Sequence, residues 1–357
     1  MKKTAPERRI MELIRAAELL VEKIKKDYRD DVALVVIMGS YIYNDTHGKS
    51  DLDMFFIPKT ERAMKLGFTF IIDDIGFDFW PINWERLERI ADFEEKTTSI
   101  ITEGKILYCS SREDMLRFEK IKSAASDVTD RMKFIRKAGE NLGRAYKDYY
   151  RLCGTRDFSG AGVYAVGIIY TLTFSIALLN GITVKRGRGK LKREMLNMPL
   201  IPDRFSELYD AVFEAENTVS LCGICRELIG NTEDLILREE RKYRKPAAFA
   251  DALNGFYEES VNFYNKIYHA CETGDKTAAL FASAELTCEI KDAFSGTDVS
   301  PEILPDIIGA YDPENLGFLA SAVRDHQNKF TALLTANGVS VRIFKGFGEL
   351  KEYLDSL

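Results

Sequence analysis

An α+β fold, with an N-terminal mixed-sheet domain followed by mostly α-helical bundles, is predicted by three observations. Short apolar runs punctuated by Gly, Pro and Asp fill residues 33–108. Long helix-period stretches with few strand signals take over from about Lys120, and Pro246 interrupts them. At 357 residues the chain exceeds one ordinary domain. The expected divisions are 1–125, 126–245 and 246–357, the last mostly helical and acidic. A composition of 46% hydrophobic and 30% charged residues is that of a globular protein.

Residues 7–28 place Ile10, Leu13, Ile14, Ala17, Leu20, Val21, Ile24 and Tyr28 on one helical stripe, an amphipathic helix for packing on a sheet. Apolar runs at 33–38 and 51–57 read as strands, the second closed by Pro58. Residues 68–72 fit helix or strand equally. A third strand covers 76–82, with Asp78 and Trp80 on one face and Phe77 and Phe79 on the other. Asn83 is placed to cap a helix at 84–91, and Ser110 or Ser111 to cap another after a short strand at 106–108. Helices are then expected at 127–152, 160–180, 204–244, 248–272, 276–294 and 315–336, with a strand-like tail at 339–344.

The span 158–184 contains no charged residue and is followed by Lys185-Arg186-Gly187-Arg188. It is long enough to cross a bilayer. Its Thr171, Thr173, Ser175 and Asn180, together with Gly160, Gly162 and Gly167, favour a buried central bundle helix, with no membrane involved. Six cysteines are scattered, and Met-Lys-Lys-Thr leads into a charged helix, not a secretory leader. A reducing cytoplasm is therefore expected. Cys222-Gly-Ile-Cys225 sits in a helical pattern without a second pair at metal-ligand spacing, which reads as buried thiols. Net charge is −6: residues 247–357 hold 8 Lys+Arg against 17 Asp+Glu, leaving +3 for 1–246. That balance lacks the basic excess of a nucleic-acid binder, so no nucleic-acid partner is expected.

The chemistry concentrates where the first two strands meet. Met38-Gly39-Ser40 ends the first run, and Ser50-Asp51-Leu52-Asp53 opens the second. Period-2 geometry sets Asp51 and Asp53 on one face of that strand, about 7 Å apart. Two carboxylates facing a Gly-Ser turn suit a divalent metal and the phosphates it carries, because such a turn offers N–H groups and a hydroxyl to an anion. Asp78 is the candidate third carboxylate, able to complete a metal set or take a proton from an attacking hydroxyl. Asp73 and Asp74 compete for that place. The stretch 184–193 has six basic residues and no acid, and Lys185 and Arg186 are its candidates for phosphate contact. His47 lies in the turn before Asp51; His269 and His326 read as helix-surface residues, and Trp80 and Trp84 as core packing more than an acceptor pocket.

Gly39-Ser40 followed by Ser50-Asp51-Leu52-Asp53, set between apolar strands, resembles the signature of the nucleotidyltransferase superfamily named after DNA polymerase beta. The resemblance implies one or two Mg²⁺ ions held by Asp51, Asp53 and Asp78. It also implies ATP or another nucleoside triphosphate, its phosphates meeting Gly39, Ser40 and Ser50, with Lys49 the nearest cation of the motif. Asp78 matches the family's third, catalytic carboxylate. Many bacterial small-molecule members follow Gly-Ser with a small residue, Arg and Gly, where this chain has Tyr41-Ile42-Tyr43-Asn44-Asp45. An apolar helix ending Leu179-Asn180-Gly181 and a Lys-Arg-Gly turn look like the helical region of aminoglycoside nucleotidyltransferase-like proteins, over residues 126–245.

The expected activity is transfer of a nucleoside monophosphate, AMP from ATP, to a hydroxyl of a small-molecule acceptor of aminoglycoside type, with release of pyrophosphate. Two alternatives stand beside it: an antitoxin-type enzyme that adenylylates a protein, and a non-catalytic nucleotide-binding protein.

Overall fold

Residues 32–37 form a strand because they are apolar without interruption, and that continuity has a structural cause: both faces are covered. The computed structural model describes residues 5–43, 46 and 50–357, with side chains from Ile14 onward in the first helix. The chain forms an α+β structure of two compact units, Met1–Tyr243 and Arg244–Leu357.

In the first unit, α1 (Ala5–Asp27) leads into β1 (Val32–Ile37), β2 (Met54–Pro58), β3 (Thr69–Ile72) and β4 (Ile75–Pro81). Helices α2 (Trp84–Ala91) and α3 (Ser99–Thr102) precede β5 (Lys105–Cys109) and α4 (Arg112–Ser126). The strands make one mixed sheet in the order β3-β4-β2-β1-β5. β1 runs antiparallel to β2 and β5, and β2 runs parallel to β4. Val35 and Ile37 of β1, with Met54 and Phe56 of β2, pack under α1 through Ala17, Leu20 and Ile24. Leu34, Val36, Phe55 and Ile57 point the other way, onto Leu87, Ile90, Ile101 and Phe118 of α2 to α4. Each such side chain, fully buried, stabilises the sheet by about 1.5–3 kcal/mol.

Both expected caps are present: the Asn83 side chain accepts from Arg86 N at 2.9 Å, and Ser111 rather than Ser110 accepts from Asp114 N at 3.1 Å. The ambiguous stretch at 68–72 is a strand, because Asp73 and Asp74 both take left-handed backbone (φ 49° and 62°) and turn it straight back as β4. Two successive positive φ values make the tight hairpin turn whose twist matches the strands. Trp80 and Trp84 pack against the core, under the guanidinium groups of Arg86 and Arg117.

The helical part of this unit comprises α5 (Arg131–Gly154), α6 (Phe158–Asn180), α7 (Leu191–Leu196), α8 (Phe205–Glu214) and α9 (Thr218–Tyr243). Among the described residues α6 is the one helix long and apolar enough to cross a membrane, and 67% of its apolar window is buried within the protein. Its polar residues are accounted for. Ser175 Oγ donates to Ala138 O of α5 at 3.0 Å, and Asn141 Nδ2 of α5 donates to Thr171 O and Ser175 Oγ at 2.8 and 2.9 Å. These bonds fix the register of the two helices, while the buried Asn141 Oδ1 has no partner among the described residues. Gly181 ends α6 in left-handed backbone, with Arg131 Nη2 on the Leu179 carbonyl at 2.6 Å.

The second unit consists of α10 (Phe249–Ala252), α11 (Phe256–Thr273), α12 (Lys276–Phe294), α13 (Leu316–Ala336) and α14 (Phe347–Asp355). Two expectations are corrected here. The tail at 339–344 is not a strand: no strand is present among the described residues of this unit to pair with it, and Arg342 N bonds Glu258 Oε1 of α11 at 2.7 Å instead. His326 is not on the surface. It is 4% exposed, and its Nδ1 meets the Tyr264 hydroxyl at 2.8 Å, in a core with Phe294 and Phe330.

Burial pushes His326 down to about 4, against a smaller opposing pull from Asp325. The unfolded imidazole titrates near 6.5, so its neutral burial contributes stability that is complete above that value and lost as pH falls toward 4. Hydrogen exchange of α11 to α13 amides is expected to show a loss of roughly 2–3 kcal/mol between pH 7 and pH 4.5. A His326→Gln chain, which cannot titrate, is expected to lose much less over the same interval.

Candidate functional site

The carboxyl end of β1 and the start of β2 build one wall of the site. Met38 N donates to Asp53 O at 3.0 Å, carrying the pairing one step past the strands. The chain then turns through a single 3₁₀ turn, Gly39–Tyr41, with Gly39 at φ +72°. A Cβ at Gly39 would lie 1.9 Å from Asp53 Oδ2, so the position excludes side chains on two grounds, conformation and space. β2 begins at Met54, not at Asp51 as the period-2 reading expects. β1 has already turned away at Gly39, and pairing to β4 starts at Met54↔Phe79, so residues 51–53 keep only the single Met38–Asp53 bond and form no strand. Alternation survives nonetheless: Leu52 is buried while Asp51 and Asp53 are exposed.

Gly39, Ser40, Ser50, Asp51 and Asp53 line a cleft of about 660 Å³. Its opposite wall is the basic loop, with Lys185, Arg186, Arg188 and Lys190. Several contacts hold that loop in place. Thr183 Oγ1 lies 3.4 Å from Thr102 Oγ1 of α3, and Lys185 Nζ pairs with Glu103 at 2.8 Å. The Glu194 carboxylate of α7 accepts from Lys185 N and Arg186 N at 2.7 and 2.8 Å. The Arg186 guanidinium lies 4.7 Å from the Tyr43 ring centroid, a stacked cation–π contact. Helix α6 thus delivers cations to a carboxylate site more than a hundred positions away in sequence.

The two walls have opposite electrostatic character. Asp53 is open to the cleft by surface area, yet its carboxyl is hemmed in against Gly39. Burial, with a further contribution from Asp51, pushes it up to about 6. Burial also raises Tyr43 to about 12, helped by Glu103 and Glu194 and opposed by Arg186.

Asp78 is exposed on β4, one residue before the Met54↔Phe79 pair, level with Asp53 in the parallel register. It lines a second, open cavity of about 600 Å³ together with Asp51, Thr69, Phe70 and Phe77. Asp51 belongs to both cavities. The hairpin-turn residue Asp74 lines the first cavity, as Asp53 does. Lys49 and His47 lie outside the described residues. Of the remaining candidates, the structure brings Gly39, Ser40, Ser50, Asp51, Asp53, Lys185 and Arg186 to one cleft, and joins Asp78 to it through Asp51.

Sequence reasoning missed Tyr43, Glu103 and Glu194. Glu194 is the first acid after six basic residues, a signal that was present; Glu103 and Tyr43 become visible only once the chain has folded. Two outcomes are expected from this geometry. Gly39→Ala, forced into left-handed backbone and against Asp53, is expected to destabilise the protein by roughly 2–4 kcal/mol in urea denaturation. Asp53→Asn removes a charge that the fold raises in pKa and therefore disfavours. Its thermal midpoint without ligand is expected to exceed the parent's at pH 7.5 and to match it near pH 4, where the parent carboxyl is protonated.

No protein-family model and no curated protein matches the chain. Among solved structures it is similar to a nucleotidyltransferase-like protein from Exiguobacterium sibiricum 255-15. Identity is 12% and the TM-score 0.38, over 66% of this chain and 84% of that one.

Proposed function

We propose that the protein is a metal-dependent nucleotidyltransferase that moves a nucleoside monophosphate, AMP from ATP, onto a hydroxyl of a small molecule and releases pyrophosphate. The observation that carries this reading is the single cleft in which Asp51 and Asp53, beside the Gly39–Ser40 turn, face the basic loop. A triphosphate needs cationic partners along its length and a carboxylate-held metal at the reacting phosphorus, and this cleft offers both walls.

The donor set fits a magnesium ion. Burial first, and the neighbouring Asp51 second, raise the Asp53 pKa, a cost that a bound cation would relieve. Among the described residues no three Asp, Glu, His or Cys side chains form a closed ligand cluster. Magnesium bound through one or two carboxylates and substrate phosphates does not require one. Asp51 and Asp53 would hold the ion, with Asp78 as the third carboxylate, and when bound it supplies neutralisation of the charge that grows on the triphosphate.

The rest falls to the protein. Gly39, Ser40 and Ser50 offer N–H and hydroxyl donors to phosphate oxygens. Lys185 and Arg186, held by Glu103, Glu194 and Tyr43, present positive charge from the opposite wall. Asp78 accepts the proton of the attacking hydroxyl from the second cavity, where Asp51 connects it to the first. Acids and aromatic rings around that cavity suit an aminated acceptor, as an aminoglycoside-type compound would be.

One observation favours transfer to a protein instead. β3 is an edge strand with Ile71 75% exposed, next to Asp78, and its free backbone edge could receive an extended peptide.

The test is incubation with labelled ATP and Mg²⁺, offering an aminoglycoside panel in one arm and a cell lysate in the other. Label on a small molecule is expected, falling on the order of 10³-fold in Asp51→Asn and Asp53→Asn. Arg186→Ala is expected to weaken ATP binding about tenfold. Label on a protein band selects the second reading. Absence of turnover with either acceptor, together with unchanged nucleotide binding in both Asp variants, would overturn catalysis.

A further inference from the structure

The second unit holds a cavity of about 320 Å³ between α12, α13 and the loop that joins them. Its apolar walls are Ile290 of α12 with Leu304 and Ile307 of the loop, all three buried. The loop is fixed by its own hydrogen bonds. Ser300 Oγ accepts from Glu302 N at 3.3 Å, and Asp306 Oδ1 accepts from Gly309 N at 2.9 Å.

His326 of α13 lines the same cavity, although it is only 4% exposed. Its tautomer follows from its hydrogen bond. Tyr264 is fully buried, and among the described residues its hydroxyl meets only His326 Nδ1, at 2.8 Å. A buried O–H needs an acceptor, so Tyr264 donates and Nδ1 accepts. Burial keeps the imidazole neutral, so its one proton sits on Nε2. That N–H has no partner among the described residues, which leaves a buried donor in the wall of a cavity.

Two opposite charges line the cavity as well. Lys291 follows Ile290 on α12, Glu302 belongs to the loop, and both are exposed. Neither side chain has an ionic or hydrogen-bonding partner among the described residues, and they do not pair with each other.

We infer that this cavity binds a free α-amino acid with an apolar side chain. Its carboxylate takes the His326 Nε2–H and the Lys291 ammonium, its own ammonium meets Glu302, and its side chain rests on Ile290, Leu304 and Ile307. A water molecule would satisfy the histidine but leave both charges unmatched and the apolar walls wet. A fatty carboxylate would bring no cation to Glu302, and a plain amine would bring no acceptor to Nε2–H. The volume lies at the small end of ligand sites, which suits one residue better than a peptide. The inference concerns the second unit alone and is independent of the nucleotidyl-transfer reading.

The test is calorimetric titration of the full chain with L-leucine, L-phenylalanine, 4-methylpentanoate and isoamylamine, together with NMR of the imidazole nitrogens. The chain has three histidines, so the His326 signals are identified by their loss in His326→Gln. Without ligand they are expected to report the Nε2–H tautomer. L-Leucine is expected to shift them, leave those of His269 in place, and bind about tenfold or more tightly than 4-methylpentanoate or isoamylamine. Lys291→Ala is expected to weaken leucine and 4-methylpentanoate together, about tenfold. Glu302→Gln is expected to weaken leucine by a similar factor and to leave 4-methylpentanoate unchanged. Both substitutions fall at exposed positions, so the fold tolerates them. An Nδ1–H tautomer, equal affinity for leucine and 4-methylpentanoate, or leucine affinity unchanged in both variants would each overturn the proposal. So would the absence of binding by either amino acid at about 10 mM.

Discussion

Two carboxylates that repel each other are held at the start of β2, and much of the first unit can be understood as the frame that holds them. Asp53 is pressed against the backbone of Gly39 while Asp51 adds its charge, which lifts the Asp53 pKa to about 6. In an unsupported loop such a pair would move apart. Here Leu52 is anchored between them in the core, and Met38 N grips the Asp53 carbonyl. The flanking strands, buried on both faces, hold the frame in turn. Packing energy distributed over many apolar side chains offsets an electrostatic cost confined to one place, a pattern expected where a site serves a ligand more than the fold.

The opposite wall depends on a different device. The basic loop carries concentrated positive charge and would be expected to extend into solvent by itself. Its position is set by acids from two other elements, Glu103 after α3 and Glu194 of α7. Glu194 binds backbone N–H groups, leaving the Lys185 and Arg186 side chains to serve other contacts. The geometry reaches further back, to α6, whose buried Ser175 and Thr171 are bonded to α5 and whose carboxyl end is closed by Gly181 and Arg131. A rigid, buried helix is what allows a distant loop to meet the Gly-Ser turn.

Particular residues show where sequence reasoning reaches and where it stops. Asn83, Ser111 and Gly181 do what their types suggest, because caps are local chemistry decided within one turn. The amphipathic stripe of α1 was legible as periodicity, and β1 as an uninterrupted apolar run. The hairpin turn at Asp73–Asp74 was not, since two left-handed aspartates carry a weaker signal than glycine. His326 and the 339–344 tail were misread for one reason. A lone histidine or a short alternating run takes its meaning from whatever packs against it, and here that is Tyr264 and Glu258.

By itself the sequence determined the α+β class and the placing of Asp51 and Asp53 between a Gly-Ser turn and an apolar strand. These rest on interactions between residues close in the chain, where period and turn chemistry dominate. Only the tertiary structure decided that the loop at 185–190 shares a cleft with those aspartates and that Asp51 joins two cavities. Those outcomes depend on helix packing and sheet register, which bring together groups tens to more than a hundred residues apart. No local pattern encodes such distances.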